Sequence, residues 1–496
     1  MGSVIRQSIL TSIISYIGVL IGYVNLLYLY PKFLVPEQIG LLRAIQDSAL
    51  LLAPFATVGL AQGIARYFPQ FSISKSQTNT FTGLIMLLGV AGYGFFIVIF
   101  LSLKPYIISF FAKNASDVVD NLTLILWLTF ILVFIAIVDQ FSKAILKIVL
   151  PNFLKEIGIR VFQGVLVSLY FLSIITFDQL IIGSVLIYML SLFVLAFYLY
   201  KSCGFGFSFK DISTIPRQKI LEIIKYSAFS FISVSAMILV GKMDSLMVAG
   251  FLGLTSVAVY TTAFYMATVI EIPKRAITQT TTTLIARALE KNDIKEVHLL
   301  YCKTSINQLI IGLLLLTGVW ANIENIFSLM PKGDLYASGT NIVLLIGIGK
   351  LIDMAFGPSS EIIGLSRYYK FNMVSISFLA IIVFISNYIL IPKFGIDGAA
   401  YGTLFALGVY NSVKFFYIYS KFKIQPFTIG TLKVIGIAIL VAGLNLILPK
   451  LNTVIIDVLY RSAIITLCFS ALILLSKSSL EINSIFNKIV ERFRYR

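Results

Sequence analysis

Charged side chains recur in this sequence inside long apolar runs, where an ionised group is costly and its presence calls for a reason. The basic ones are Arg43, Arg160, Lys225, Lys242, Lys274, Arg275, Lys350, Lys414 and Lys433; acidic ones include Asp47, Asp139, Glu156, Asp244, Glu271, Asp353 and Glu361. A charge at the centre of a membrane helix costs about 2.5–3.5 kcal/mol on insertion scales, so such groups face a partner or a wet cavity. Helical spacing offers partners on one face: Arg43 with Asp47 and Glu156 with Arg160 at i,i+4, Glu271 with Lys274 or Arg275, and Lys350 with Asp353 at i,i+3. Lys242 and Asp244 are two residues apart, point away from each other, and are expected to pair between helices. The surplus is cationic, and Thr278, Thr280, Thr281, Thr282 and Thr283 follow Lys274 and Arg275. Hydroxyls beside ammonium and guanidinium groups suit phosphate oxygens. The competing reading is that the pairs neutralise themselves and let polar helices pack.

Other chemistry is sparse. His298 is the single histidine, and it is expected on a solvated loop, so neither a histidine-bearing metal site nor a histidine proton relay is expected in the bilayer. Cys203, Cys302 and Cys468 are scattered without C-x-x-C spacing, which argues against a disulfide framework or a metal site. No cofactor is expected.

The elements that position these charges are membrane helices. Of 496 residues, 58% are hydrophobic and 12% charged, with a mean hydropathy of +0.95; a soluble domain is about 45–50% apolar and about 25% charged. Only a bilayer can bury so much apolar surface. Apolar runs predict fourteen spans, near 9–31, 41–65, 80–102, 122–142, 151–175, 181–200, 224–249, 257–285, 304–323, 338–358, 371–391, 396–418, 427–448 and 456–476. The formal charge of +17 sits between these blocks and reads as topology rather than as a nucleic-acid footprint. With the N-terminus inside, twenty-three basic residues fall on inner segments and seven, Arg461 among them, on outer loops. Both termini are therefore expected in the cytoplasm. Arg6 runs straight into the first span, which reads as its own insertion signal.

No connection is long enough for a soluble domain. The 201–223 linker divides an N-terminal six-helix lobe (1–200) from a C-terminal one (224–420), followed by two helices over 421–476. The basic 477–496 segment, with Leu480, Ile482, Ile485, Phe486, Ile489 and Phe493 at helical spacing, reads as an amphipathic helix on the inner surface. Pro54 and Pro273 lie in the second and eighth spans at corresponding places in the two lobes, and at the same offset KFLVPEQIGLLRA aligns with FLGLTSVAVYTTA. Two halves of six helices sit the same way up, a parallel repeat with an axis along the membrane normal.

Several segments together resemble the oligosaccharide flippases of the multidrug/oligosaccharidyl-lipid/polysaccharide (MOP) exporter superfamily. They are VPEQIGLLRA, KMDSLMVAGFLGLTSVAVYTTAF, EIPKRAITQTTTTLIARALEKND and KFGIDGAAYGTLFA. The resemblance covers nearly the whole chain, including the 6+6+2 plan. It implies an all-α integral membrane protein with two six-helix lobes around a central cavity, and movement of an undecaprenyl-diphosphate-linked oligosaccharide from the inner to the outer leaflet of a bacterial cytoplasmic membrane. The implied setting is surface polysaccharide or lipopolysaccharide synthesis, with membrane lipids and polysaccharide polymerase machinery as partners. A cationic cavity is implied, carried over onto Arg43, Lys242, Lys274, Arg275 and Lys350, with no catalytic residue. Coupling is open between the membrane potential and proton or sodium binding at Asp47, Asp244, Glu271 or Asp353. Two rivals stand beside this reading. A cation-coupled drug antiporter of the same superfamily calls for an acidic cavity, and a membrane polysaccharide polymerase or ligase calls for a large outer loop with acid or base residues.

Overall fold

The computed structural model describes residues 2–204, 206–209, 211–479, 481–484, 486–487 and 491. Among these there are helices and no strands. Lipid offers a backbone no hydrogen bonds, so an apolar chain of this kind satisfies its N–H and C=O groups within helices. In order they are α1 Leu10–Phe33, α2 Pro36–Thr57, α3 Leu60–Phe71, α4 Lys75–Phe111, α5 Leu122–Ala144, α6 Ile159–Phe171, α7 Phe177–Cys203 and α8 Arg217–Leu252. Then come α9 Leu254–Glu290, α10 Ile294–Ala321, α11 Gly333–Ala355, α12 Tyr369–Phe394, α13 Ile396–Phe422, α14 Ile429–Ile447 and α15 Val454–Ser476.

Twelve of the described helical segments are long and apolar enough to cross a membrane, and the protein is a multi-pass membrane protein. The other two expected spans also fall on helix: 151–175 on α6 and the turns before it, and 396–418 on α13. Half of the expected amphipathic helix over 477–496 lies outside the described residues, as does Lys210 of the linker. Its described start is docked: Lys303 pairs with Glu481 at 3.3 Å, and Ser479 donates to Asn307 at 2.8 Å.

Chain contacts divide the molecule into two units, Met1–Ala258 and Val259–Arg496. In the first, α2 packs against α5, and α8 packs on α2 and α3; the seventh expected span thus belongs by contact with the first unit. Small residues allow the approach. A Cβ on Gly59 would lie 2.2 Å from the Ser227 carbonyl oxygen, and one on Gly63 would lie 2.4 Å from the Ser227 hydroxyl. In the second unit, α10 packs against α9, α11, α14 and α15, and α12 lies along α13. Gly398 approaches the Leu390 carbonyl and Gly402 the Asn387 side chain, each with no room for a Cβ.

Both intramembrane prolines adjoin a helix interruption. Proline lacks the N–H that would bond four residues back, and its ring crowds that carbonyl. A short 3-10 turn, Val269–Glu271, precedes Pro273, and four residues before Pro273 is Val269 itself. In α2, the chain continues three residues past Pro54 before Val58 and Gly59 take left-handed φ of 46° and 73°. Span two is therefore two helices, α2 and α3, rather than the single run expected over 41–65.

Candidate functional site

The intramembrane charges form interhelical sets. In the first unit, Lys242 Nζ on α8 donates to Asp47 Oδ1 on α2 at 2.6 Å, and Ser245 Oγ donates to Asp47 Oδ2 at 2.7 Å. The sequence paired Asp47 with Arg43, one turn away; the structure gives both carboxylate oxygens to α8 instead. The expectation that Lys242 pairs between helices agrees with this geometry. Asp244 is buried. Glu156 and Arg160 pair at i,i+4, at 2.9 Å.

In the second unit the partners cross between helices. Glu271 holds Lys350 of α11 at 2.5 Å, and Lys274 donates to Asp353 of α11. Lys414 of α13, 2% exposed, lies 4.0 Å from the other Asp353 oxygen, donates to Ser360 Oγ at 3.1 Å and sits over the Tyr410 ring. The expected pairs along one helix, Glu271 with Lys274 or Arg275 and Lys350 with Asp353, are replaced by these. For Glu271 the cause is local: it lies in the 3-10 turn before Pro273, so the i,i+4 register of an unbroken helix does not hold there; Lys350 and Asp353, in unbroken helix, are each taken by a partner on α9.

The threonines of α9 divide between two tasks. Thr281 meets Thr304 at 3.1 Å and Thr278 accepts from Gln308 at 2.9 Å, so these hydroxyls join α9 to α10. On the opposite side, Arg275, Gln279, Thr280, Thr283 and Arg287 are exposed along one mainly polar face of α9, with Ala276 and Leu284 exposed among them. Arg275 and Arg287 have no carboxylate within salt-bridge distance among the described residues. Arg275 lies about 22 Å from the C-terminal end of α9 at 1.5 Å per residue, well inside a span. Such a polar face is stable against water and not against hydrocarbon chains. Sequence reading singles out Arg275, Thr280 and Thr283, assigns Arg287 to a loop and passes over Gln279; the signal is Arg275, Gln279, Thr283 and Arg287 at intervals of four.

Arg43 lies elsewhere, in a cavity of the first unit lined by Tyr30, Gln46, Gln163, Ser184 and Tyr188 among apolar side chains. Its guanidinium stands 6.0 Å from the Tyr30 ring centre, and Gln46 donates to the Tyr188 hydroxyl at 2.6 Å. His298 is not on a loop: it occupies the first turns of α10, where its Nε2 lies 3.1 Å from the Gln425 carbonyl, with Cys302 Sγ on the same oxygen. Among the described residues no cluster of three or more His, Cys, Asp or Glu side chains is placed to hold a metal.

No family model matches the chain. An uncharacterised membrane protein of Methanocaldococcus jannaschii is 24% identical over 246 residues, 47% of this chain and 48% of that protein, so the match spans about half of that relative. Among solved structures, the lipid II flippase MurJ in an inward closed conformation superposes with a TM-score of 0.74 at 14% identity, over 97% of this chain and 99% of that one. An inward-facing multidrug resistance transporter of the MATE family and MOP superfamily gives 0.63 at 16%, over 84% and 94%. A MOP-superfamily transporter from Pyrococcus furiosus, whose binding pocket has reverse polarity, gives 0.55 at 15%, over 85% and 95%. In its helices and their arrangement, this chain has the fold of MOP-superfamily transporters.

Proposed function

We propose that the protein is a flippase that moves a polyprenyl-diphosphate-linked oligosaccharide from the inner to the outer leaflet of a bacterial cytoplasmic membrane, for surface polysaccharide synthesis. The observation that carries this reading is the exposed face of α9, where Arg275 and Arg287 bracket Gln279, Thr280 and Thr283. A lipid diphosphate carries roughly two negative charges that must lose water on the way through the bilayer, and charge-assisted hydrogen bonds from guanidinium groups offset that loss. Amide and hydroxyl groups between them suit sugar hydroxyls. Arg275 and Arg287 are about 18 Å apart along the helix, far enough to hand the diphosphate from one to the other.

Lys242, Lys274 and Lys350 each face a carboxylate, so in our reading they set the shape of the helix packing and contact substrate only after their pairs open. The same pairs weigh against the drug-antiporter reading. Asp47, Glu271 and Asp353 already hold lysine ammonium groups and offer a cationic drug no free carboxylate. Proton or sodium coupling through them would require the same openings. The membrane potential needs none: each negative charge moving outward gains about 2.3 kcal/mol per 100 mV, inside negative.

Gene deletion with a leaflet assay tests the function. Intact lipid-linked units trapped on the inner face, with surface polysaccharide lost, is the expected result. Units that reach the outer face but stay unpolymerised would assign a polymerase instead. Unchanged polysaccharide with altered drug sensitivity would assign the antiporter.

A further inference from the structure

We propose that the first unit contains a binding site for one small anion, of halide or carboxylate size, at Arg43. The site uses no residue of α9 and does not rest on the flippase reading. Arg43 lies within α2, about 10 Å from its N-terminal end. Its nearest carboxylate in sequence, Asp47, is saturated by Lys242 and Ser245, and among the described residues no carboxylate oxygen lies within 4.0 Å of the Arg43 guanidinium. An uncompensated guanidinium inside a span requires a counter-charge or ample water. The cavity beside it has a volume of about 30 Å³, space for two or three water-sized groups.

The lining offers donors. Tyr188, 7% exposed, accepts from Gln46 and retains its own hydroxyl proton, for which no acceptor stands among the described residues. The Gln163 side-chain amide also lines the cavity and has no hydrogen-bond partner among the described residues. Ser184 gives its proton to the Leu180 carbonyl and contributes only its oxygen. Guanidinium, phenol and amide N–H or O–H groups around a space of this size match a single anion. A lipid diphosphate is too large to enter, so the occupant is chloride or a carboxylate group.

Thermal unfolding of the purified full chain, at fixed pH and ionic strength, tests this with isethionate, a larger sulfonate, as the reference anion. Replacement of isethionate by chloride or formate is expected to raise the midpoint saturably, by a few degrees, because a ligand held only by the folded state stabilises it. Arg43→Gln is expected to abolish the rise. So is Ser184→Leu, which keeps the arginine and fills the cavity, and which serves if the first variant does not fold. A rise with both anions assigns a free small ion; a rise with formate alone assigns a carboxylate-bearing ligand. Equal rises in wild type and both variants would be a general salt effect and would overturn the site, as would no rise in wild type.

Discussion

Arg461 donates from all three of its side-chain nitrogens. Nε meets Asp457 Oδ2 at 2.7 Å, Nη1 meets Asn445 Oδ1 at 2.6 Å, and Nη2 reaches the Leu448 and Pro449 carbonyls at 3.3 and 3.2 Å. Those carbonyls end α14, where orphan acceptors collect and a cation is favourable. Asp457 in turn accepts from Asn325 at 2.6 Å and from the Leu451 N–H at 2.9 Å. Counting basic residues puts Arg461 with the outer loops, although it lies just inside the 456–476 span, because the count takes no account of Asp457 one turn before it; the structure buries it at 4% exposed within α15. Breaking a buried, satisfied pair by removing one partner costs about 3–5 kcal/mol. Arg461→Ala is therefore expected to lower the thermal midpoint of the purified protein markedly. A shift no larger than that of a surface arginine would contradict this account. The same logic ranks substitutions at Asp353, which serves both Lys274 and Lys414: Asp353→Ala is expected to be more damaging than Lys414→Met, which leaves the Lys274 pair intact.

At the scale of elements, the helix opposite decides which charges meet: Asp47 is taken by Lys242, Glu271 by Lys350 and Asp353 by Lys274. Prolines 54 and 273 were legible as corresponding positions in two spans, and each adjoins a helix interruption. What they do to pairing was not, because i,i+4 arithmetic assumes an unbroken helix and says nothing of the helix opposite. The threonines of α9 show the same limit: the run was visible, but only the neighbour α10 determines that Thr278 and Thr281 face inward while Thr283 does not. The α3–α8 contact gives a test at this scale. Gly63→Ala is expected to destabilise the fold through the Ser227 hydroxyl, and Ser227→Gly is expected to restore it, because that contact is to a side chain. Gly59→Ala is expected to resist such rescue, since its φ is left-handed and its close contact is to the Ser227 backbone. Thermal midpoints of the three variants and the Gly63/Ser227 double variant check both statements.

For the whole molecule, hydropathy alone located the helices, and all fourteen expected spans fall on helical segments. One that is not among the twelve most apolar is instructive. α13 carries Gly398, Ala399, Ala400, Gly402, Thr403 and Ala406 on buried positions, so its packing rests on close backbone approach to α12 rather than on large apolar side chains. A hydropathy threshold passes over such a helix although the protein around it makes it part of the bundle. The candidate site was legible only as a cationic surplus, since which cations lack a carboxylate partner depends on other helices. The central claim concerns the two guanidiniums of α9 that remain exposed. Its most direct test is a reconstituted flipping assay: proteoliposomes loaded with a polyprenyl-diphosphate-linked oligosaccharide on the inner leaflet, an impermeant glycan-cleaving enzyme outside, and an imposed membrane potential. The account predicts that wild-type protein exposes the glycan to the enzyme, faster with the inside negative, and that Arg275→Gln and Arg287→Gln each slow exposure by tenfold or more without lowering the thermal midpoint. Exposure at the wild-type rate in both variants, or none with wild-type protein, would contradict it.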